Sequence, residues 1–432
     1  MNTNTIPAEF DADVALGKDI HKRFNLPQTE FGPEKVIRIF DHDTNNTWGF
    51  VVVDNLVRGP SLGGIRLAPD VTVEEVYGLA HAMTFKNAAA MLPLGGGKSG
   101  IIGDPVFYSE NPLQKKKLVK LFAEALWEHP EYIPGPDMGT DEHDMQFIYD
   151  IFTTLNGKPN HGRGGIGRPP QKGGLPLDEW GLTAHGLLAA AKAAEKNDTK
   201  VNIEGARVII QGYGNVGCHI AEKLYAEGAV IIGASDINCG LYNPDGLDID
   251  EMRNIRREKS GLLRYTGPTK TRFISENLDD LLTMPCDILV PAARPDAITH
   301  KNADLIDTRI ILQGANNPVN HVTEYYLSLK KKITPLTDFI VNAGGVIACA
   351  VELKMDQDPD YRKKVTKKDG LGKEYLEKLV FKIISNNVNE IYQRIKKNRN
   401  QNIIWRDVAM DLAQERLQAG KNGNVPTLKD FS

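Results

Sequence analysis

A glycine-rich turn between a strand and a helix is the feature that most constrains how this chain can fold. Gly212, Gly214 and Gly217 follow a short apolar run at residues 207–210, and the helical pattern that they open continues to Glu227. The first glycine permits a tight turn, the second lets the backbone approach a pyrophosphate, and the third lets the helix pack on the strand. The first N–H groups of the helix and the positive end of its dipole would face the phosphates. This context predicts a doubly wound α/β domain that binds a dinucleotide.

An acidic residue at the end of the next predicted strand bears on which dinucleotide binds. Asp236 follows the apolar run 229–235 and lies 24 residues after Gly212. A carboxylate at this position accepts hydrogen bonds from a ribose diol and repels a 2′-phosphate. Residues 237–242 contain no lysine or arginine to bind that phosphate. The sequence therefore favours NAD over NADP.

Composition excludes several classes of protein. A chain of 432 residues has room for two or three domains, and a net charge of −4 gives no reason to expect nucleic acid or an anionic membrane as a partner. The four cysteines are far apart in the sequence, which argues against a disulfide framework and a zinc site, and no other metal-ligand cluster is apparent. We see no signal peptide and no apolar run approaching the ~18 residues of a spanning helix. A cytoplasmic protein is the simplest expectation.

Two lysines and an aspartate are the candidates for chemistry in the first half. Lys86 falls on the apolar face of a helix predicted at residues 72–91, which Thr72 and Glu75 would begin as a capping box. Lys98 follows 12 residues later in a glycine-rich segment. The two lysines together suggest a site that binds an anion. The sequence around Lys98 is not a nucleotide-triphosphate loop, because that motif requires a glycine where Leu92 stands. Asp137 is predicted on a loop, where an isolated aspartate is usually a turn residue.

Several segments together resemble the glutamate/leucine/phenylalanine/valine dehydrogenase family. The similarity extends from roughly Arg58 to Glu352, and its motifs lie at residues 59–66, 83–86, 92–100, 136–140, 235–247, 313–316 and 342–346. The resemblance implies a substrate-binding and oligomerisation α/β domain at 1–182, a Rossmann domain at 183–348, and helices at 349–432 that pack between the domains and return to the first. A glycine pattern at 162–167 is rejected as a dinucleotide site because neither a strand nor a helix flanks it. The resemblance also implies a homo-oligomer, a hexamer or an octamer.

The resemblance implies roles for individual residues. Lys86 would bind the substrate α-carboxylate, Lys98 would polarise the carbonyl or activate water, and Asp137 would transfer protons. The expected substrate-binding residues are Lys86, Gly63, Gly64, Leu62, Met83, Gly135, Val346 and Cys349. The expected cofactor contacts are Gly212, Gly214, Asn215, Val216, Gly217, Asp236, Ile237, Thr183, Ala292, Ala293, Asn316 and Asn342. Amino acid, 2-oxo acid and ammonia would be the small-molecule partners.

Two departures from the glutamate-specific pattern suggest the substrate. Leu62 stands where those relatives have a lysine for the distal carboxylate, and Cys349 stands where they have a serine. An unpaired carboxylate in such a pocket would cost ~3–5 kcal/mol. Gly135 would leave extra space for a long aliphatic or aromatic side chain, although a turn glycine explains it equally well. The sequence thus predicts NAD-dependent oxidative deamination of an apolar L-amino acid, branched-chain or aromatic, to its 2-oxo acid and ammonia, together with the reverse reductive amination.

Two alternatives remain open at this point. A glutamate dehydrogenase could bind the distal carboxylate through other residues, with Arg66 as a candidate. A dinucleotide-binding regulator descended from such an enzyme is the non-enzymatic alternative, and the presence of both Lys98 and Asp137 argues against it.

Overall fold

The chain forms two compact units in the computed structural model. The structure describes residues 6–158, 163–198, 200–256, 258, 260–398 and 402–423. The first unit comprises the described residues of Met1–Pro176, Val346–Gly372 and Ala413–Ser432, and the second those of Leu177–Gly345 and Lys373–Leu412. Two of the boundaries fall inside helices, because both Gly344–Gln357 and Trp405–Lys421 begin in the second unit and end in the first. The described residues of 349–432, the predicted C-terminal helices, are divided between the two units.

The first unit is built on a mixed sheet. Its elements are β1 (Phe10–Leu16), α1 (Lys18–Phe24), β2 (Lys35–Asp41), β3 (Thr47–Asn55), β4 (Ser61–Ala68), α2 (Val73–Ala89), β5 (Gly95–Ile102), α3 (Pro105–Glu110), α4 (Pro112–Trp127), β6 (Tyr132–Pro136) and α5 (Glu142–Asn156). The strand order is β1-β2-β3-β5-β4-β6, with β4 parallel to both β5 and β6 and the remaining neighbours antiparallel. Apolar side chains of the central strands pack against α4 and α5 in one core, and a smaller core includes Val76 and Ala80 of α2.

One face of this sheet carries the lysine and aspartate that the sequence singled out. Residues Leu62 and Gly96 are paired across β4 and β5, so alternation places Leu62, Arg66 and Lys98 on a common face. That face is covered by α2: a Cβ at Gly96 would overlap Thr84 of α2. The short strands therefore bring residues separated by 36 positions, Leu62 and Lys98, to one side of the sheet.

The second unit contains a seven-stranded sheet of the doubly wound type. Its elements are α6 (Leu177–Trp180), α7 (Leu182–Asn197), β7 (Arg207–Gln211), α8 (Asn215–Ala226), β8 (Val230–Ser235), β9 (Gly240–Tyr242), α9 (Ile249–Ile255), β10 (Arg272–Ile274), β11 (Ile288–Pro291), β12 (Ile310–Leu312), α10 (His321–Tyr326), β13 (Thr334–Leu336) and α11 (Asp338–Val341). The strand order is β10-β9-β8-β7-β11-β12-β13, and β8, β7, β11, β12 and β13 run parallel. This confirms the predicted Rossmann-like fold.

The C-terminal region is helical, as predicted. Its helices are α12 (Gly344–Gln357), α13 (Pro359–Thr366), α14 (Lys373–Lys397) and α15 (Trp405–Lys421). Within the second unit, α14 packs on α7 so closely that a Cβ at Gly186 would lie 2.5 Å from the Ile384 side chain. None of the helices within the described residues is both long and apolar enough to span a membrane.

The predicted start of α2 is half right. The Thr72 side chain accepts a hydrogen bond from the Glu75 backbone N–H at 3.2 Å, as expected of an N-cap. The Glu75 carboxylate does not complete the capping box, because it bonds instead to Arg66 on β4.

The rejected glycine pattern at 162–167 begins at Gly162, outside the described residues, and the part from Arg163 onward is irregular backbone.

Candidate active site

Glycines on β4 allow three strands to approach at the site. A Cβ at Gly63 would overlap the Gly97 carbonyl of β5, and a Cβ at Gly64 would lie 2.7 Å from the Cβ of Asp137. Only glycine fits both positions without moving the neighbouring backbone. Asp137 directly follows β6 and thereby reaches the same face as Lys98.

A buried ion pair joins the two predicted catalytic residues. Lys98 Nζ lies 2.9 Å from Asp137 Oδ1, and the two side chains are only 7% and 19% exposed. Burial lowers the pKa of Lys98 from its ordinary value, although Asp137 opposes the change. For Asp137, burial alone would raise the pKa, but Lys98 and Arg66 together hold the pKa below its usual range. The pair can therefore exchange a proton at a site that excludes most water.

Arg66 is a member of this cluster whose contact the sequence reasoning missed. Its Nε donates to Asp137 Oδ2 at 3.0 Å, and its Nη1 bonds to Glu75 at the start of α2. Strand alternation offered a signal, since Arg66 lies four residues after Leu62 on the same face of β4. The partner of Arg66, Asp137 at the end of β6, could not be predicted from the sequence. Because its guanidinium is engaged with Asp137 and Glu75, Arg66 is a weaker candidate for the distal carboxylate of a substrate.

The other expected substrate-binding residues also lie in the first unit. Lys86 is 7% exposed on the buried side of α2, as its helical position predicted. Leu62 is 3% exposed and Val346, on α12, is 9% exposed, while Met83 and Cys349 are partly exposed. The structure thus assigns all five to one unit.

Gly135 could carry a Cβ without a clash, unlike Gly63 and Gly64. The nearest atom to a Cβ at Gly135 would be the Ile166 carbonyl oxygen at 3.8 Å, an ordinary contact. Its backbone is not left-handed, so neither the turn nor the packing of β6 requires a glycine here. This geometry removes the turn-glycine explanation and is compatible with a role in pocket size.

A loop over β6 is held by a buried carboxylate. Glu352 on α12 accepts hydrogen bonds from the backbone N–H of Gly167 at 2.9 Å and of Leu175 at 3.1 Å. The Ile166 N–H donates to the Pro134 carbonyl of β6 at 3.1 Å. Burial raises the pKa of Glu352 to about 7. These bonds fix the segment that passes over Gly135.

The glycine-rich turn of the second unit has the geometry that a pyrophosphate site requires. Gly212 has a φ of +94°, and a Cβ there would lie 2.7 Å from the Ala293 backbone. A Cβ at Gly217 would overlap the Gly212 carbonyl, whereas nothing lies within 4 Å of a Cβ at Gly214. No side chain caps α8 at Gly214, so its first N–H groups stay available to an anion. The turn therefore fits a dinucleotide.

Asp236 has structural bonds that the sequence did not reveal. Its Oδ1 accepts from the N–H groups of Asn238 at 2.7 Å and Cys239 at 2.9 Å, and its Oδ2 accepts from the Leu262 N–H at 2.7 Å. The neighbouring Ile237 is 92% exposed. These three bonds orient the carboxylate and leave one acceptor site, on Oδ2, for a ribose hydroxyl group.

The expected nicotinamide-side residues cluster at the far end of the same sheet. Asn342 Nδ2 donates to the Ala315 carbonyl at 3.1 Å and to Asn316 Oδ1 at 3.2 Å, while Asn342 Oδ1 is buried without a hydrogen-bond partner in the described structure. A buried acceptor lacking a donor fits an amide-bearing ligand. Thr183 lies beside Gly345, where a Cβ would be 3.1 Å from the Thr183 hydroxyl.

Two family models together match most of this chain. The model described as Glutamate/Leucine/Phenylalanine/Valine dehydrogenase matches residues 173–422, and the model of the Glu/Leu/Phe/Val dehydrogenase dimerisation domain matches residues 33–154. These matches define an amino acid dehydrogenase, an oxidoreductase that uses a nicotinamide dinucleotide. The chain belongs to the glutamate/leucine/phenylalanine/valine dehydrogenase family, whose branches these two models do not separate.

Individual relatives are named as glutamate dehydrogenases. The chain is 32% identical to the NADP-specific glutamate dehydrogenase of Saccharolobus shibatae, over 93% of this chain and 91% of that protein. It is 32% identical to the glutamate dehydrogenase of Aeropyrum pernix, over 89% and 90% of the two chains. A solved structure, described as hetero-hexameric glutamate dehydrogenase from Thermus thermophilus in a Leu-bound form, superposes with a TM-score of 0.74 at 27% identity, covering 96% of this chain and 89% of that one.

Proposed function

We propose that this chain catalyses the reversible oxidative deamination of an L-amino acid to its 2-oxo acid and ammonia. The observation that carries the proposal is the buried Lys98–Asp137 ion pair, on the sheet face that also carries Leu62 and Arg66. A separate dinucleotide-binding unit with an available α8 N-terminus supplies the second requirement. A nicotinamide dinucleotide held by this unit would supply the acceptor for the hydride that leaves Cα.

Each polar group at the site has a task in this chemistry. Lys86 binds the α-carboxylate and so orients Cα. Lys98, with its pKa lowered by burial, takes a proton from the water that attacks the iminium carbon. Asp137 exchanges protons with the amino group as it leaves. Arg66 holds the Asp137 carboxylate in place through Oδ2, so that Oδ1 faces Lys98.

L-Glutamate is the better supported of the two substrate classes. The relatives reported above are named glutamate dehydrogenases, and all three matches cover about nine-tenths of this chain or more. The apolar preference inferred from the sequence stays a prediction, supported by a specific observation: Leu62 is buried on the same face as Lys98 and carries no donor for a second carboxylate. Glutamate would then be bound at its distal end by groups other than Leu62.

A three-substrate assay separates these possibilities. NADH oxidation with ammonia is measured with 2-oxoglutarate, 2-oxoisocaproate and phenylpyruvate, and we expect the largest kcat/KM for 2-oxoglutarate. A tenfold or greater preference for either apolar 2-oxo acid would reject glutamate and support the apolar class. Absence of turnover with all three would reject the dehydrogenase proposal for these substrates.

Substitution of Leu62 tests whether this side chain faces the substrate. Leu62→Lys should shift the ratio of kcat/KM values toward 2-oxoglutarate by roughly two decades, because a lysine would pair with the distal carboxylate. Leu113→Lys, at an 82% exposed position on α4, is the matched control and should leave the ratio unchanged. An unchanged ratio in Leu62→Lys would remove Leu62 from the pocket.

NAD is the proposed cofactor, although one relative is named as NADP-specific. The oriented carboxylate of Asp236 supports this choice, since a 2′-phosphate would meet a negative charge there. Asp236→Asn keeps an acceptor for the Asn238 N–H and removes the charge. We expect its NADP to NAD ratio of kcat/KM to rise at least tenfold. Wild-type preference for NADP would overturn the proposal.

A homo-oligomer, of six or eight subunits, is the proposed assembly. One matched family model describes a dimerisation domain, and the Thermus thermophilus structure is described as hetero-hexameric.

Two further expectations stay predictions. They are the domain roles assigned to 1–182, 183–348 and 349–432, and a cytoplasmic location.

A further inference from the structure

The parallel strands of the second unit divide the dinucleotide site into two sides. Ligands of doubly wound sheets bind at the carboxyl ends of the strands. Gly212 follows β7 and Asp236 follows β8, so the adenosine half belongs on that side. Because β11, β12 and β13 continue the sheet beyond β7, the nicotinamide half belongs at their carboxyl ends.

The loops at the ends of β12 and β13 are joined by Asn342. Its Nδ2 bonds to the loop after β12, at the Ala315 carbonyl and Asn316 Oδ1, and its own position follows α11 beyond β13. Its buried Oδ1 lacks a partner in the part of the chain that the structure describes. The orientation of this amide therefore depends on both loops keeping their positions.

A buried charge cluster underlies the same two loops. Glu324 is 0% exposed and accepts a hydrogen bond from Gln313 Nε2, at the end of β12. Asp338 is 2% exposed and its Oδ2 accepts from the Asn317 N–H at 2.8 Å. Each carboxylate thus holds one point of the loop at residues 313–317.

Arg406 of α15 joins the two carboxylates. Its Nη2 lies 2.8 Å from Glu324 Oε1 and 3.1 Å from Asp338 Oδ1. The arginine side chain is 12% exposed, and the carboxylates are almost completely buried. Without this cation, two buried carboxylates would repel each other and lose their shared donor.

We propose that Arg406 is a positioning residue for the nicotinamide half of the cofactor. Its guanidinium holds Glu324 and Asp338 together, these carboxylates hold the loop at residues 313–317, and that loop orients Asn342. The inference rests on the dinucleotide site of the proposed function but not on the identity of the amino acid. No element of the adenosine side is in the chain of contacts, so the effect is confined to one half of the ligand.

Two ligands that share the adenosine half test this inference. NADH and ADP-ribose are titrated into the full-length protein without amino acid, by fluorescence and by calorimetry respectively. In Arg406→Met we expect NADH affinity to fall at least tenfold while ADP-ribose affinity stays within twofold of wild type. A merely structural role would weaken both ligands alike.

Two further variants keep the test decisive. Arg406→Lys retains a buried positive charge without the planar fork, so it should fold and show a smaller selective loss of NADH binding. If Arg406→Met does not fold, Arg406→Lys alone decides the test. Arg309→Met is the matched control: Arg309 is half-exposed at the amino end of β12, 3.3 Å from Asp287, and its loss should change neither affinity.

The outcomes separate this inference from the proposed function. Equal losses for NADH and ADP-ribose, or no loss for NADH in either Arg406 variant, overturn the positioning role. Selective loss of NADH binding in a protein that deaminates no amino acid would support the positioning role and reject the proposed function.

Discussion

Lys98 and Asp137 form an ion pair whose members have different expected tasks. Removing the amine in Lys98→Ala should lower kcat at least 100-fold, because the attacking water loses its base. NADH affinity should not change, since the dinucleotide residues lie in the other compact unit. Steady-state kinetics and a fluorescence titration measure the two quantities. Lys120→Ala, on the exposed surface of α4, is the control, and a kcat within threefold of wild type for Lys98→Ala would contradict the assignment.

Arg66 should act through the protonation of its neighbours. Its positive charge lowers the pKa of Lys98 and of Asp137, so Arg66→Met should raise both pKa values. Oxidative deamination requires the unprotonated amine, and the rising limb of kcat/KM against pH should therefore move to higher pH. Displacement of the carboxylate should also lower kcat/KM by roughly 10- to 100-fold. Glu75→Gln, which removes the other partner of Arg66, should leave the pH limb much closer to wild type.

The sequence predicted the chemistry of this cluster but not its internal contacts. Lys98 and Asp137 stand in recognisable motifs, and the helical pattern correctly placed Lys86 on a buried face. The bond from Arg66 to Asp137 depends on the pairing of β4 with β6, strands separated by a helix, a third strand and two more helices. Periodicity within one element carries no information about such pairing.

The glycines of β4 and β6 should respond differently to the same added methyl group. Gly63→Ala places a Cβ against the Gly97 carbonyl and should destabilise the fold by about 1–3 kcal/mol. Gly135→Ala makes no clash and should fold normally. It should reduce kcat/KM for bulky substrates by an amount on the order of 1–3 kcal/mol. Chemical denaturation and the substrate panel measure these effects. If Gly135→Ala has the same ratio of kcat/KM for large over small substrates as wild type, Gly135 is excluded from the pocket.

Glu352 should make the stability of the first unit depend on pH. Its folded-state pKa of about 7 lies above the ordinary 4.5, so the folded protein binds this proton more tightly than the unfolded chain. The stabilisation is complete below pH 4.5 and is lost as pH rises through 7. Between pH 4 and 8, the free energy of unfolding of wild type should fall by about 3 kcal/mol relative to Glu352→Gln. Parallel curves for wild type and Glu352→Gln would exclude the linkage.

Long elements were easier to predict than short ones. The helical pattern at 72–91 corresponds to α2, because many turns repeat the same apolar spacing. Strands β9, β10 and β13 have three residues each and were not foreseen, since so short a run shows no periodicity. Glu75 matched a capping box by spacing, yet the nearby Arg66 on β4 was a stronger partner for its carboxylate.

We expect copies of this chain to associate through the edge strand β1 of the first sheet. β1 ends the strand order of the first sheet, and Val14 and Leu16 on it are 37% and 56% exposed. Sedimentation should give a mass several times that of one chain. Substituting lysine at both positions should lower the association constant of the subunits at least tenfold, because charge on an edge strand opposes pairing with another chain. Leu113→Lys is the control, and an unchanged mass in the double variant would exclude this edge.

The two helices that pass from one compact unit to the other limit how the protein can be engineered. Exchanging the dinucleotide unit with that of a relative requires four junctions, after residues 176, 345, 372 and 412. Two of these cut through α12 and α15, where a spliced sequence must keep the helical phase of both parents. A junction inside either helix would interrupt its backbone hydrogen bonds, so grafting experiments should keep α12 and α15 whole and place the junctions in the loops that flank them.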